Sequence, residues 1–535
     1  MQKGPPRKLS PTSFPPPMTG AAACATIWRV QGKLHGSPFC AGGKAAHMAH
    51  KQRLQMAEER IGEGTARAGD DPRRQHFHFS PPYGWMNDPN GLIYWRGQYH
   101  VFYQYNPYGV RWDAMHWGHA VSGDLLSFTH LPPALAPSEP YDDSQGGGCF
   151  SGSAAAEGEA LTLMYTGALR GPEGSRQTQC IARSADGVAF EKDPGNPAVL
   201  PPPGCAPGDF RDPKVWRHGN HWYMVCAGSM EGRASLFLYG SQDLAHWKYR
   251  GLLLQDAPGG ERMWECPDLF RLDGKYVLIL SLMGKAVHGN IYMTGRMDYT
   301  AGKFIPEDTG VLDEGFDFYA AQTVISPEGK RLLLAWQNNW GMDLHGRDPL
   351  RNGCLTMPRE LSIKEGKLYS RPAPQMEKLR GPQRLYPALD LPGDRPFSAR
   401  VGDGVHMEMD LQLDLAETTA PRVLVSICRG EDSASVLRME LDLKERVVRV
   451  IRPSFLGVSR TQFSFEQAGG ALALRLFCDT VSAELFMNDG QSAFSAVLDG
   501  ETDTGEIQIT PMGGGARLPR LDLYGLEDAG AAGTP

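Results

Sequence analysis

Leu92-Ile-Tyr-Trp-Arg-Gly97-Gln-Tyr-His-Val-Phe-Tyr103 is two short β-rich runs joined at one glycine. Aromatic and β-branched residues suit a pleated, half-buried surface, and a glycine between two such runs supplies the backbone freedom of a tight hairpin turn. The same figure recurs around Gly158, in Val215-Trp-Arg-His-Gly219-Asn-His-Trp-Tyr-Met-Val225, in Leu269-Phe-Arg-Leu-Asp-Gly274-Lys-Tyr-Val-Leu-Ile-Leu280, and through Gly329. Neighbouring glycines in this series are 61, 61, 55 and 55 residues apart, too regular for chance. A second marker follows most of the hairpins in step: Ser122-Gly-Asp124, Ser184-Ala-Asp186, Ser241-Gln-Asp243 and Arg296-Met-Asp298. Its aspartates read as turn or packing residues, because they recur where no chemistry is needed. Repeats of this length, with turns and strands but no helical period, predict a propeller of four-stranded blades, and five repeats predict five blades.

Away from the repeats the texture changes twice. Residues 1–47 are rich in Pro, Gly and Ala and carry no period, so they bury too little apolar surface to offset chain entropy and are expected to be disordered or a non-native extension. Residues 48–75 are expected to form a short helical lead-in, with the helix over Lys51 to Ile61; Met48 and Met56 beside it suggest an internal natural start. The propeller is expected over 76–380. Beyond it, His406-Met-Glu-Met-Asp-Leu-Gln-Leu413, Leu437-Arg-Met-Glu-Leu-Asp-Leu443, Ala473-Leu-Arg-Leu-Phe477 and Ala483-Glu-Leu-Phe-Met487 alternate apolar and polar residues. Period-two alternation predicts antiparallel strands with one buried face, and so a C-terminal β-sandwich over 381–535. Gly381 to Leu391, with Pro382 and Pro387 inside it, is the junction. The fold class is all-β.

A chain of 535 residues with 41% apolar and 21% charged residues has material for two large cores. Its net charge of -7, without a basic run, argues against a nucleic-acid partner. The most apolar early stretch, Ala21 to Val30, is short and broken by Thr26 and Arg29, so neither a membrane span nor a secretory signal is expected. Ten cysteines without a CxxC pair read as reduced thiols in a cytoplasmic protein. Nothing in the sequence sets an oligomeric state.

Three repeats place a carboxylate shortly before the hairpin glycine: Asp88, Asp212 and Glu265. Ser151 and Tyr319 hold the matching places in the other two. In a propeller that position is one rim of the innermost strand, so all three acids are expected to converge on the central funnel. Acids facing one another raise the cost of ionisation, and at least one is expected to keep its proton near neutral pH. Glycoside hydrolysis uses such a set: a protonated acid for the leaving oxygen and an ionised carboxylate for the developing cation. Trp85, Trp112, Trp117, Trp264 and Tyr319 are candidate flat walls for a sugar, and Asn87, Gln104 and Arg211 candidate hydrogen-bonding groups.

Trp85-Met-Asn-Asp-Pro-Asn-Gly91, Phe102-Tyr-Gln-Tyr-Asn-Pro107, Phe150-Ser-Gly-Ser-Ala154, Arg211-Asp-Pro213, Trp264-Glu-Cys-Pro-Asp268 and Asp317-Phe-Tyr319 resemble, in order, the motifs of glycoside hydrolase family 32. The resemblance runs over roughly residues 50 to 528. It implies a retaining β-fructofuranosidase acting on sucrose or sucrose 6-phosphate, with Asp88 the nucleophile of a covalent fructosyl-enzyme, Glu265 the acid/base and Asp212 a carboxylate holding fructose hydroxyls. It further implies substrate contacts from Trp85, Met86, Asn87, Gln104, Trp112, Phe150, Ser151 and Arg211, with Tyr319 against Glu265 and Trp336 or Trp340 closing the site. No cofactor or metal is implied. Three positions depart from the family pattern: Asp113-Ala114 after Trp112, the long run Gln145-Gly-Gly-Gly-Cys149, and Ala321 where proline is common. The first two touch the leaving-group side and bear on the substrate.

Taken singly, each of these residues has a plainer reading. Asp-Pro and Asn-Pro pairs start turns, and Arg211-Asp212 alone reads as an ion pair. His76 and His78 lack acidic or histidine partners nearby in sequence and are expected to be structural rather than metal ligands. Cys266 reads as an inert neighbour tuning Glu265. Within enzymes the alternative is a fructan hydrolase or fructosyltransferase, and from another class a non-catalytic carbohydrate-binding propeller. An intracellular enzyme fed by phosphorylating uptake would meet sucrose 6-phosphate, for which Arg111 and Arg170 are candidate anion contacts.

Overall fold

The computed structural model describes residues 49–69, 71–283, 289–340, 350–430, 432–454, 457–466, 469–499 and 504–529. The expectations for residues 1–47 and for Met48 lie outside them. Strands dominate, so the chain is all-β. Helix α1 (His50–Arg67) outruns the expected Lys51–Ile61. Gly62 and Gly64 weigh against helix intrinsically, but Gly64 lies flat on the Tyr83 ring, where a Cβ would stand 2.2 Å from Cγ, so packing there outweighs propensity.

Five antiparallel sheets follow. The first contains β1 (Gly84–Trp95), β2 (Gln98–Asn106), β3 (His116–Ser122) and β4 (Thr129–Leu135); the second β5 (Gly148–Glu157), β6 (Ala160–Gly171), β7 (Gly174–Ser184) and β8 (Glu191–Lys192). The third contains β9 (Cys205–His218), β10 (His221–Met230), β11 (Arg233–Ser241) and β12 (Lys248–Gln255), and the fourth β13 (Trp264–Leu272), β14 (Lys275–Leu282), β15 (Asn290–Asp298) and β16 (Lys303–Val311). The fifth starts with β17 (Tyr319–Ile325) and β18 (Arg331–Trp336); β19 (Arg351–Asn352) leaves it to pair in parallel with β1, and β20 (Arg359–Lys364) and β21 (Lys367–Pro372) complete it.

All five glycines of the sequence series sit at positive φ in the turn between the first two strands of a sheet. The aspartates of the second marker cap the turns between third and fourth strands: Asp243 Oδ1, for instance, accepts the N–H groups of Ala245 and His246 at 3.0 and 2.9 Å. The first strands lie side by side in a closed circuit, β1 on β5, β5 on β9, β9 on β13, β13 on β17 and β17 back on β1. Apolar side chains fill the junctions between sheets, with Phe102, Trp117, Leu163 and Tyr165 between the first and second and Phe210, Phe237, Met164 and Ile181 between the second and third.

From Arg380 onward the strands belong to two further sheets closing on one core. Met407, Met409, Leu411 and Leu413 are buried in that core, and Leu472, Leu474 and Leu476 pair beside them, as the alternation predicted. A buried ionic seam ties this part to the ring. His78 sits between Asp479 (Nδ1 to Oδ2, 2.8 Å) and Glu484 (Nε2 to Oε1, 2.9 Å), all three side chains sealed from solvent. Asp479 also accepts the backbone N–H groups of His76, Phe77 and His78, and Arg359 bridges Glu484 and Asp313. His78 thus does have acidic partners, but they come from four hundred residues away, beyond the reach of local spacing.

Candidate active site

The first strand of each of the five sheets of the ring slips register where the sequence places a candidate site residue. The shift falls between Met86 and Pro89 on β1, Phe150 and Gly152 on β5, Arg211 and Lys214 on β9, Glu265 and Asp268 on β13, and Tyr319 and Gln322 on β17. A bulge rotates the side chains beside it away from the pleat. Asp212, Cys266 and Ala320 adopt positive φ at these bulges, a conformation uncommon for residues with a Cβ. The circuit of first strands then turns five such bulges toward one place.

Asp88 is buried; its Oδ2 accepts the Ser151 hydroxyl at 2.6 Å and its Oδ1 the Asn87 amide at 3.0 Å. Asn87 is itself oriented by the Trp85 indole N–H at 2.8 Å. Cys266, next to Glu265, touches both other acids: its backbone N–H donates to Asp212 Oδ2 at 2.8 Å and its thiol lies 3.6 Å from Asp88 Oδ2. Glu265 Oε1 meets Arg211 at 2.8 Å, and its Oε2 accepts the Tyr319 hydroxyl. Arg211 therefore pairs with Glu265 across two strands rather than forming a surface pair with Asp212.

Burial raises the Asp88 carboxyl above its ordinary range, helped by the Glu265 charge and opposed by the Ser151 and Asn87 hydrogen bonds. Burial also pushes Asp212 up to about 7; Arg211 opposes this, while the Glu265 and Asp88 charges reinforce it. A proton therefore resides in the cluster near neutral pH and, with acids this close, belongs to the group rather than to one residue. Burial and the surrounding carboxylates raise the Cys266 thiol well above its ordinary value, so it is not a nucleophile.

Trp85, Tyr319 and Trp336 share one apolar cluster with Cys266, against which Trp112 and Phe150 pack. Trp336 is fully buried, whereas Trp340 is 44% exposed and stacks on Trp85 with centroids 6.0 Å apart, so Trp340 forms the rim and Trp336 supports it. Gln104 is buried, with its Nε2 donating to the Cys149 carbonyl at 2.9 Å. Met86 is not brought in: it packs with Val324, Leu334 and Leu355 on the other face of β1, because successive side chains of a strand alternate. Trp117 and Trp264 are likewise core residues between sheets and not sugar walls.

The first two departures from the family pattern meet, Asp113 Oδ1 accepting the Gly146 N–H at 3.3 Å. Gly148 in the same run has φ +125°, and a Cβ there would lie 2.5 Å from the Met115 carbonyl, so the run is pinned against the strand leaving Trp112. Arg170 lies over the Trp112 ring at 5.9 Å. Several supporting residues carried no sequence signal. Gln177 Oε1 accepts from Arg211 Nη1 at 3.1 Å, Met283 Sδ lies 3.4 Å from Arg211 Nη2, and Thr166 Oγ1 accepts the Asp212 N–H at 3.0 Å. Thr166 and Gln177 lie on second and third strands and Met283 just past the end of β14, all outside any motif.

Residues 78–372 match the family model described as Glycosyl hydrolases family 32 N-terminal domain. The sucrose-6-phosphate hydrolase of Bacillus subtilis (strain 168) is 35% identical over 474 residues, spanning 84% of this chain and 94% of that protein. The raffinose invertase of Escherichia coli is 33% identical over 514 residues, spanning 89% and 99%. Among solved structures, the Bombyx mori GH32 beta-fructofuranosidase BmSUC1 superposes with a TM-score of 0.77 at 31% identity, covering 90% of this chain and 99% of that one. With its motifs in order on five converging strands and these relatives matched over most of their length, the chain belongs to glycosyl hydrolase family 32.

Proposed function

We propose that this protein hydrolyses the fructosyl bond of sucrose or sucrose 6-phosphate with net retention, at the mouth of a five-bladed β-propeller spanning 76–380, with residues 381–535 forming a supporting β-sandwich. The observation that carries this reading is the meeting of three carboxylates from three separate strands at Cys266, whose thiol and N–H touch Asp88 and Asp212 while Glu265 adjoins it in sequence. The relatives matched over nearly their whole length support the substrate.

In this mechanism Asp88 attacks the anomeric carbon of the fructosyl unit. The bond to the bridging oxygen breaks, and Glu265 delivers a proton to the departing sugar. Glu265 then takes a proton from water, whose oxygen displaces Asp88 and releases fructose. Asp212 holds fructose hydroxyls while positive charge develops. Tyr319 and Arg211 fix Glu265 from both sides, which sets the reach of the proton. Trp85, Phe150 and Trp340 supply the walls of the pocket, and Trp112 with Arg170 faces the leaving group. The eight described cysteines are all unpaired thiols, which supports a cytoplasmic location. The experiment that tests the reading is capture of a fructosyl ester on Asp88 by quenched-flow mass spectrometry with sucrose; turnover with inverted anomeric configuration and no ester would refute it.

A further inference from the structure

Asp88 is held by Ser151, and Ser151 is held in turn. Asn90, two residues after Asp88 on β1, is completely buried. One orientation of its amide satisfies both ends: the oxygen accepts the Gln104 backbone N–H at 3.1 Å and Nε2 at 3.0 Å, and the nitrogen donates to Ser151 Oγ at 3.3 Å and the Pro89 carbonyl at 3.2 Å. Gln104 spends its other amide hydrogen on the Cys149 carbonyl; the opposite orientation would offer the Asn90 oxygen only the Gly152 N–H at 3.4 Å and turn its amide hydrogens on Gln104, so the two Gln104 donors fix the oxygen. A hydroxyl has one proton to give. With Asn90 donating into its oxygen, Ser151 directs that proton to Asp88 Oδ2 at 2.6 Å.

We propose that Asn90 is a positioning residue of the reaction, anchored by Gln104 and acting through the Ser151 hydroxyl to keep the attacking carboxylate of Asp88 ionised and aimed. The inference rests on the reading of Asp88 as nucleophile. The chain Gln104 to Asn90 to Ser151 to Asp88 is buried along its length and complete without a ligand, so it acts before any sugar binds. It opposes the other groups facing Asp88: Glu265 and Asp212 repel its charge, and Arg211 and the Tyr319 and Cys266 side chains stand beyond or beside them.

The test is the pH profile of kcat/KM for sucrose in a cycle of Asn90→Leu and Ser151→Ala. Asn90→Leu in the otherwise native protein is expected to lower kcat/KM about tenfold and to move the acidic limb upward by roughly 0.5 to 1 unit, a fraction of one charge-assisted hydrogen bond, because the Ser151 hydroxyl remains but is no longer directed. In the Ser151→Ala background the same change is expected to leave the limb where Ser151→Ala alone puts it. If the leucine variant does not fold, Asn90→Asp replaces it: it keeps the shape and the acceptor for Gln104, removes the donor and adds a charge that acts on Asp88 with or without Ser151, so only the share of its limb shift that vanishes with Ser151 measures the relay. Equal shifts in both backgrounds, or none in either, would overturn the proposal. Failure of the nucleophile reading is separately visible, because the fructosyl ester on Asp88 would then be missing in the native enzyme whatever Asn90 does.

Discussion

Asp88 and Glu265 come together at Cys266, but their surroundings differ, and the proposed chemistry follows from that difference. Asp88 receives Ser151 and Asn87, neutral donors that favour its charge without neutralising it. Glu265 is gripped by Arg211 and Tyr319, groups that in the proposed mechanism hold it while a proton comes and goes. Asp88→Asn is expected to lower kcat on the order of 10⁴-fold with the protein still folded by circular dichroism. Glu265→Gln is expected to cost roughly 10²- to 10⁴-fold with sucrose but far less with a fructoside whose leaving group departs without a proton. Equal losses on both substrates would assign Glu265 a different role. Asp212 makes a stability prediction. Its folded pKa of about 7 exceeds the unfolded value, so the folded state holds the extra proton, and the associated stability is present at low pH and lost as pH rises through about 7. Asp212→Asn removes a buried negative charge and is expected to raise the melting temperature near pH 8, with the gain fading toward about pH 4, while activity collapses. A melting temperature lowered at alkaline pH would contradict this.

The strand is the scale at which the site is made. Five first strands each carry a bulge at the same level, and the acids point together because the pleat is broken there in register. The seam between ring and C-terminal sheets carries buried cations, among them Arg359 and His78, of which His78 can titrate in the ordinary pH range. Burial opposes charge on His78, yet hydrogen bonds from it to Asp479 and Glu484 raise it to about 9, and Asp479 is correspondingly held well below the usual carboxylate range. Since the folded pKa of His78 lies above its unfolded value, this contribution is fully present below about pH 6.5 and is lost as pH rises through about 9. His78→Gln should therefore flatten the fall in melting temperature between about pH 7 and 9. Asp479→Asn, which leaves the buried imidazolium only Glu484 as a charged partner and weakens the bonds to three backbone N–H groups, is expected to cost about 3 kcal/mol or more in urea unfolding. An unchanged pH slope in His78→Gln would show that another group titrates there.

For the molecule as a whole, initial rates on sucrose, sucrose 6-phosphate, inulin and levan should favour the two disaccharides, because the run 145–149, which the proposed reading puts on the leaving-group side, is pinned by Asp113 and Met115. Faster turnover of levan would move the reading to fructan hydrolysis. The turn glycines, the spacing of the repeats, the alternation beyond residue 406 and the three acids were all legible in the sequence, since each depends on local backbone geometry or on a period a strand must keep. Met86, Trp117 and Trp264 were misread because adjacency in a motif does not tell which face of a strand a side chain takes. The partners of His78, the grip of Gln177 on Arg211 and the Asn90 contact with Ser151 were invisible for another reason. They join strands far apart along the chain, and only closure of the ring of sheets, with the later sheets packed against it, brings those atoms within hydrogen-bonding distance.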